Sequence, residues 1–393
     1  MLPYILSFCL SGLLFSASLM ADQSSDDTRF NDALTVEAQL TLDFLRNIKG
    51  GVEEQSTILG NVDLIFELDT QKAGLWNNGT FFSYFLGSFS SNNGMSHYAG
   101  DFQVSSNIEA DEGTRLYQFW YEHSFSNQLS VLVGLHDYNS EFNTLEFASL
   151  FMNSSFGIQA DISQLGPSIF PSASLAARVK FKPTQESYIL AAVYDGVAGD
   201  PHHDKTTSIN LDRDYGAFFS VELGLTEGEV HRADYYKLAF GSWYHTAKIK
   251  NYAADEDDKN RGIYLIVEKT LFSSSSDSLG AFLQLGFTDS KRNQIAKYYG
   301  AGLNYKGLFS KEGDDLLGLA VASAVNAKEF EEYSQNSLES AVDSAETVIE
   351  LTYESEIYSW LVVQPNIQYI INPSMDRTIE NAFVVGARVR FVY

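Results

Sequence analysis

Three observations predict an all-β protein, a transmembrane antiparallel β-barrel of about sixteen strands. Apolar and polar residues alternate with period two from one end of the chain to the other, the signature of strands with two unlike faces. No run of about 18 apolar residues follows residue 21, so no helix is available to cross a bilayer, and only a closed barrel would satisfy the backbone there. Finally, long connections alternate with short ones, the asymmetry of long extracellular loops and short periplasmic turns.

The 393 residues carry 51 acidic and 26 basic side chains, a formal charge of −25. Such an excess argues against a nucleic-acid partner, because phosphates are neutralised by Lys and Arg. Aromatics make up 14% of the chain while prolines number only 7, a balance suited to strands and membrane interfaces. The first segment, "MLPYILSFCLSGLLFSASLMADQ", is uncharged and mostly apolar from Ile5 to Met20 and reads as a secretory signal cut near Ala21. The domains are then a signal peptide over 1–21 and an outer-membrane barrel over 22–393. Cys9, the one cysteine, lies within the signal, so the mature chain would hold neither disulfide nor cysteine metal site.

The clearest strand is "TVEAQLTLDF", Thr35–Phe44, with Val36, Ala38, Leu40, Leu42 and Phe44 on one face. Further strands are read at Asn61–Asp69, Gly79–Ser88, Arg115–Ser124, Leu129–Tyr138, Ser174–Lys182, Ser187–Gly196 and Asp214–Leu225. The second half continues with Tyr235–Thr246, Arg261–Leu271, Leu279–Thr288, Ala296–Gly307, Leu316–Asn326, Glu346–Ser355, Trp360–Ile371 and Asn381–Tyr393. If the first strand starts at the periplasm, most outward connections are long: Arg46–Gly60, Phe89–Thr114, Asn139–Ala173, Val197–Arg213, Ala247–Asn260 and Ala327–Ala345. Several inward ones, such as "SNQ", "PTQE" and "EIYS", are short.

The last strand, "AFVVGARVRFVY", puts Arg388 and Arg390 opposite a face of Phe383, Val385, Val389, Phe391 and Tyr393. An Arg turned to lipid at mid-bilayer costs about 2–4 kcal/mol, so both arginines are assigned to the lumen. Phe391 and Tyr393 then fall at the interface girdle, and Tyr393 would be what the barrel-assembly machinery reads. Outer-membrane lipids and lipopolysaccharide are the surrounding partners. Monomer and homotrimer both stay open.

Seven segments, in order, carry a resemblance: "LDTQKAGLWNNGTFF", "RLYQFWYEHSF", "VGLHDYNSEF", "FMNSSFG", "AAVYDGVAGDP", "YKLAFGSWYHT" and "WLVVQPNIQYIINP". Through them the chain resembles the carbohydrate-selective porins of the OprB type. The resemblance implies a sixteen-stranded outer-membrane barrel with inward-folded loops that passes sugar solutes by facilitated diffusion, with no cofactor. One departure is Leu135, where the family would lead one to expect a lysine or other polar residue beside His136.

A sugar leaving water needs hydrogen-bond partners and aromatic faces for its C–H surface. The face Gln118, Trp120 and Glu122 has that composition, with Tyr117, Phe119 and Tyr121 opposite, toward lipid. Lys237, Trp243 and His245 share another inward face, and Gln364, Asn366 and Gln368 offer uncharged amides for neutral hydroxyls. Glu222, Tyr264, Glu268, Asp63 and Glu67 are weaker candidates. Arg115, with carboxylates of the Asn139–Ala173 connection folded toward it, would set up a transverse field. "AADEDDK" lacks the spacing and Gly of an EF-hand and reads as a solvated loop, and "DPHHD" has two adjacent His in a long loop, a pattern that more often binds nothing than a metal. HExxH, GxSxG and Walker sequences are absent, so the chain reads as no enzyme. Alternative readings are a general or cation-leaning diffusion pore, an outer-membrane hydrolase and a soluble secreted sandwich.

Overall fold

A computed structural model describes residues 32–199, 205–249, 251–252, 258–310 and 315–393. The expected signal segment lies outside these residues, as do Asp200–Asp204 of "DPHHD" and most of "AADEDDK".

Sixteen strands close into one antiparallel barrel in which every strand pairs with its neighbours in sequence and the last pairs with the first. They are β1 (Leu34–Gly51), β2 (Ser56–Asp69), β3 (Gly79–Ser90), β4 (Gly113–Ser124), β5 (Leu129–His136), β6 (Ser174–Phe181), β7 (Ser187–Asp195) and β8 (Ala217–Glu227). The series continues with β9 (Tyr236–Ile249), β10 (Asp258–Ser273), β11 (Ser278–Thr288), β12 (Ile295–Lys306), β13 (Asp315–Asn326), β14 (Ala345–Tyr358), β15 (Leu361–Ile371) and β16 (Glu380–Val392). Each expected strand is present. Closure removes every sheet edge, which is what lets a sheet stand in hydrocarbon.

The seam is made by β1 and β16, with Asp43 opposite Arg388 and Thr41 opposite Arg390. Tyr393 extends it: its backbone N–H donates to Ala38 at 2.9 Å, and its carbonyl accepts from the Ala38 N–H at 3.2 Å. Its side chain is 76% exposed. The terminal residue is thus paired in its backbone and exposed in its ring.

Alternation sorts the side chains. Leu223, Phe240, Leu265, Leu283, Leu303, Leu319, Leu351 and Ile367 point outward and are exposed or half-exposed, as lipid-facing residues must be. At the rim nearest the termini, Tyr358, Trp360 and Phe391 stack outside the wall, and Trp76, Phe81 and Tyr121 form a second aromatic group. Aromatic belts of this kind mark a membrane interface.

Connections at the rim away from the termini include 91–112, 137–173, 196–216 and 327–344, whereas 125–128, 182–186, 274–277 and 359–360 close the other rim. This asymmetry is the one expected of a barrel with its termini at the periplasm. One expected long connection is not one: Arg46–Gly60 is mostly strand, and only 52–55 turns between β1 and β2. The pattern broke there because Gly50 and Gly51 interrupt the alternation, yet both adopt positive φ, of 67° and 66°, within the strand end. The connection at Ala247–Asn260 shortens in the same way, since β9 runs to Ile249 and β10 starts at Asp258.

Two connections fold into the lumen. Segment 137–173 brings Tyr138, Phe142, Phe147, Phe151 and Phe156 against Phe218, Trp243, Tyr264, Phe282 and Tyr298 of the wall, in one buried cluster. Segment 91–112 packs Met95, Tyr98 and Ala99 on Leu45, Leu59, Val348, Ile370 and Val384.

Candidate functional site

The inward loops bury backbone N–H groups against the wall, and each such group needs an acceptor. Wall glutamates supply them. Glu350 accepts the N–H groups of Met152 at 2.7 Å and Asn153 at 2.9 Å. Glu268 accepts those of Phe147 at 2.6 Å and Glu146 at 2.9 Å. Glu346 takes Phe102 and Gln103, both at 2.7 Å, and Ser374 at 2.6 Å. Glu222 takes Asn143 at 2.9 Å together with the hydroxyls of Tyr188 and Tyr264 at 2.8 and 2.5 Å.

The amides expected to meet sugar hydroxyls do the same work. Gln364 donates to the Leu150 carbonyl at 2.6 Å and Gln368 to that of Ser105 at 2.7 Å. Asn366 donates to Glu350 at 2.6 Å. All three face inward, but they are buried beneath the loops. Lys237 also turns inward, where its ammonium donates to the Thr144 carbonyl at 2.5 Å. Trp243 packs on Phe218 and is buried. His245 shares a hydrogen bond of 2.7 Å with the Gly196 carbonyl. Glu222, Tyr264 and Glu268 join this group of anchors.

The opposite wall is different. On β4 a one-residue bulge sits between Leu116 and Gln118, because Phe85 pairs with Leu116 and Tyr84 with Gln118. The extra residue, Tyr117, turns inward against Tyr84 and Phe170, with ring centroids 5.1 and 6.2 Å away. Tyr117 was expected on the lipid face with Phe119 and Tyr121; the bulge shifts the parity, so Arg115 and Tyr117 point inward below it and Gln118, Trp120 and Glu122 above it. Trp120 stacks on Phe82 at 4.7 Å with the ring planes 10° apart, and both rings stay half-exposed. Gly134 lies opposite Trp120 with φ of 141°, where an added Cβ would fall 2.3 Å from the Phe119 carbonyl oxygen. Leu135 stands opposite outward-facing Phe119 and is buried, so the departure noted there does not line the lumen.

The transverse field expected at Arg115 is built by Arg178 of β6 instead. Its guanidinium meets Glu141 of the inward loop at 2.5 Å and Glu122 of β4 at 2.9 Å. Lys180 reaches the other oxygen of Glu141 at 3.2 Å. His136 lies 3.6 Å from the same carboxylate and hydrogen-bonds Tyr194 at 2.8 Å. Burial pushes the Glu141 carboxyl up, but Arg178 and Lys180 outweigh it and hold it below the usual carboxylate range. Arg115 itself is buried and donates to the Asp111 carbonyl at 3.2 Å. Glu141 is one of the loop carboxylates expected to fold inward, though it meets another arginine; sequence reasoning missed Arg178 and Lys180, although "ARVKF" alternates Arg and Lys with Val and Phe as plainly as the final strand does.

Other polar groups line the same interior. Asp63 accepts from Tyr84 at 2.7 Å, and Glu67 is exposed near the periplasmic rim. Arg388 forks onto Asp43 at 2.7 and 2.8 Å and reaches Asn107 at 2.7 Å, while Arg390 meets Glu354 at 2.6 Å. Both arginines face the lumen. Below Glu141, a recess of about 490 Å3 opens among Lys180, Tyr188, Tyr235 and Lys237.

Comparison with known proteins adds the family. The model of the carbohydrate-selective porin, OprB family, matches residues 53–393. Porin B of Pseudomonas aeruginosa is 25% identical over 314 residues, spanning 71% of this chain and 68% of that protein. The high-pH structure of Pseudomonas putida OprB superposes with a TM-score of 0.82 at 18% identity, covering 92% of this chain and 95% of the other. The low-pH structure of the same protein gives a TM-score of 0.60 at 17% identity, over 92% and 93%.

Proposed function

The chain belongs to the carbohydrate-selective porin family of the OprB type, and on that premise we propose that sugars travel along the β3–β6 side of the lumen. Membership makes the protein an outer-membrane channel for sugar diffusion and not an enzyme. The route is the finer claim. One observation carries it: the half-exposed Phe82–Trp120 stack stands beside a cluster in which Glu122 and Glu141 balance Arg178 and Lys180. An aromatic face suits the apolar side of a pyranose, and paired charges supply donors and acceptors to its hydroxyls. Balanced charge gives no advantage to either sign of ion, which supports the sugar reading over a cation-leaning pore.

Glu122, Trp120 and Arg390 are kept as path residues, Lys180 and Glu141 are added with Arg178 buried behind them, and Gln118, buried and accepting the Asp137 N–H at 3.2 Å, goes to the loop anchors. Lys237, Trp243, His245, Gln364, Asn366 and Gln368 are reassigned to holding the loops, because the hydrogen bonds and packing described above occupy them. The Tyr393 ring remains our proposal for what the assembly machinery reads, and residues 1–21 for a cleaved signal.

Liposome swelling with glucose, maltose and uncharged non-sugars of equal size tests the route. Loss of one stacking surface is worth about 0.5–1.5 kcal/mol, so Trp120→Ala should slow sugar entry about threefold to tenfold and spare the non-sugars. Equal slowing of both solute classes, or no slowing, rejects the route.

A further inference from the structure

The outer surface has a feature that the sugar path does not use. On β10 the outward residues run Arg261, Ile263, Leu265, Val267 and Lys269, so two cations bracket an apolar strip. Eight residues at about 3.3 Å each, tilted by about 40°, span about 20 Å of barrel height, close to the apolar band of about 25 Å in such barrels. Lys269 therefore marks the periplasmic edge of the bilayer and Arg261 the outer edge.

Arg261 has company at that edge. It sits opposite Tyr244 of β9, and the ammonium of Lys259 lies 5.8 Å from the centre of the same ring. Lys297 of β12 is opposite Phe287 of β11, whose ring meets Tyr299 edge-on at 6.2 Å. The three cations are exposed, as are the three rings. Of the acids at this rim, Asp258 and Asp289 are engaged by Arg292, at 3.2 and 2.6 Å, and Glu329 accepts from Ser290 at 2.9 Å. On the outward positions themselves, Tyr244, Lys259, Arg261, Phe287, Lys297 and Tyr299, every charge is positive, on a chain of net charge −25.

We infer that the outward face of β9–β12 at the extracellular rim is a docking site for a phosphorylated, multiply acylated glycolipid of the outer leaflet. Lys259, Arg261 and Lys297 engage its phosphates, and its acyl chains lie along Ile263, Leu265 and Leu285. The inference rests on the outer-membrane location of the family. Profile decides for lipid over a second copy of the chain: cations at headgroup depth, aromatic rings beside them and hydrocarbon-compatible residues beneath reproduce the layers of a leaflet.

Native mass spectrometry of the full barrel with a bisphosphorylated lipid A tests it. Each basic residue near an anionic surface contributes about a factor of five, so K259Q/R261Q/K297Q should bind roughly a hundredfold more weakly. Dephosphorylated lipid should bind wild type as weakly as the intact lipid binds the triple variant. K269Q, at the other rim, should bind like wild type, and heat-modifiable gel mobility reports that each variant is folded. Unchanged lipid retention in the triple variant overturns the inference. So does retention that persists while the oligomeric state changes, which would make the face a contact between copies.

Discussion

On β14 and β15, Glu346, Glu350, Gln364 and Gln368 face the interior and are consumed by loop backbone. On β3–β6, Phe82, Trp120, Glu122 and Lys180 face the same interior and remain half-exposed. The residue types overlap, and so does their alternation along the strands. What separates the two walls is the inward loops, whose donors must be satisfied wherever they touch. A polar residue turned into a barrel is therefore not yet a residue on the path.

The contrast breaks most sharply at Glu350. Replacing it by Ala strands the Met152 and Asn153 donors and the Asn366 amide, and each unsatisfied buried group costs about 1–3 kcal/mol. E350A should lower the temperature of the heat-induced gel shift by many degrees and make single-channel current noisy. A quiet, wild-type trace would remove the anchor role. Arg178→Ala comes next, since it leaves Glu122 and Glu141 facing each other with only Lys180 to offset them. The reversal potential in a salt gradient should move toward cation selectivity, while the gel shift changes less than in E350A.

A smaller effect concerns pH. Burial pushes Asp161 of the inward loop up to about 7, and neither of its oxygens has a hydrogen-bond partner among the described residues. An acid whose folded value exceeds the ordinary 3.8 favours the folded state while it is protonated. Its contribution is fully present below pH 4 and is lost as pH rises to about 7. Thermal denaturation from pH 4 to 8 should show stability falling over that window, and Asp161→Asn should flatten the fall. Smallest of all is Arg390→Gln, at a half-exposed pair with Glu354, which should alter unfolding by no more than about 1 kcal/mol.

Much of this was legible in the sequence. Period-two patterning gave all sixteen strands, because each must keep one face for lipid, and the cost of lipid-facing arginine placed Arg388 and Arg390 correctly. The candidate site was legible in direction but not in use. Alternation shows that Gln364, Asn366 and Gln368 point inward; it holds no information on which loop will cover them. Glu141 could be expected only as one unnamed carboxylate of an inward loop, for the related reason that an irregular segment has no period to read. Arg115 and Tyr117 show a third limit, since a bulge of one residue leaves no mark in the pattern except the contradiction it resolves.

That surplus residue on β4 makes the strand a splice between two opposite parities. Flatten the bulge with Tyr117 still in the chain and everything from Gln118 onward keeps its orientation, but the guanidinium of Arg115 swings through the wall into hydrocarbon; excise Tyr117 and the alternation closes with Arg115 still inside. One local pucker of the backbone thus decides whether the strand's first half is written for water or for oil.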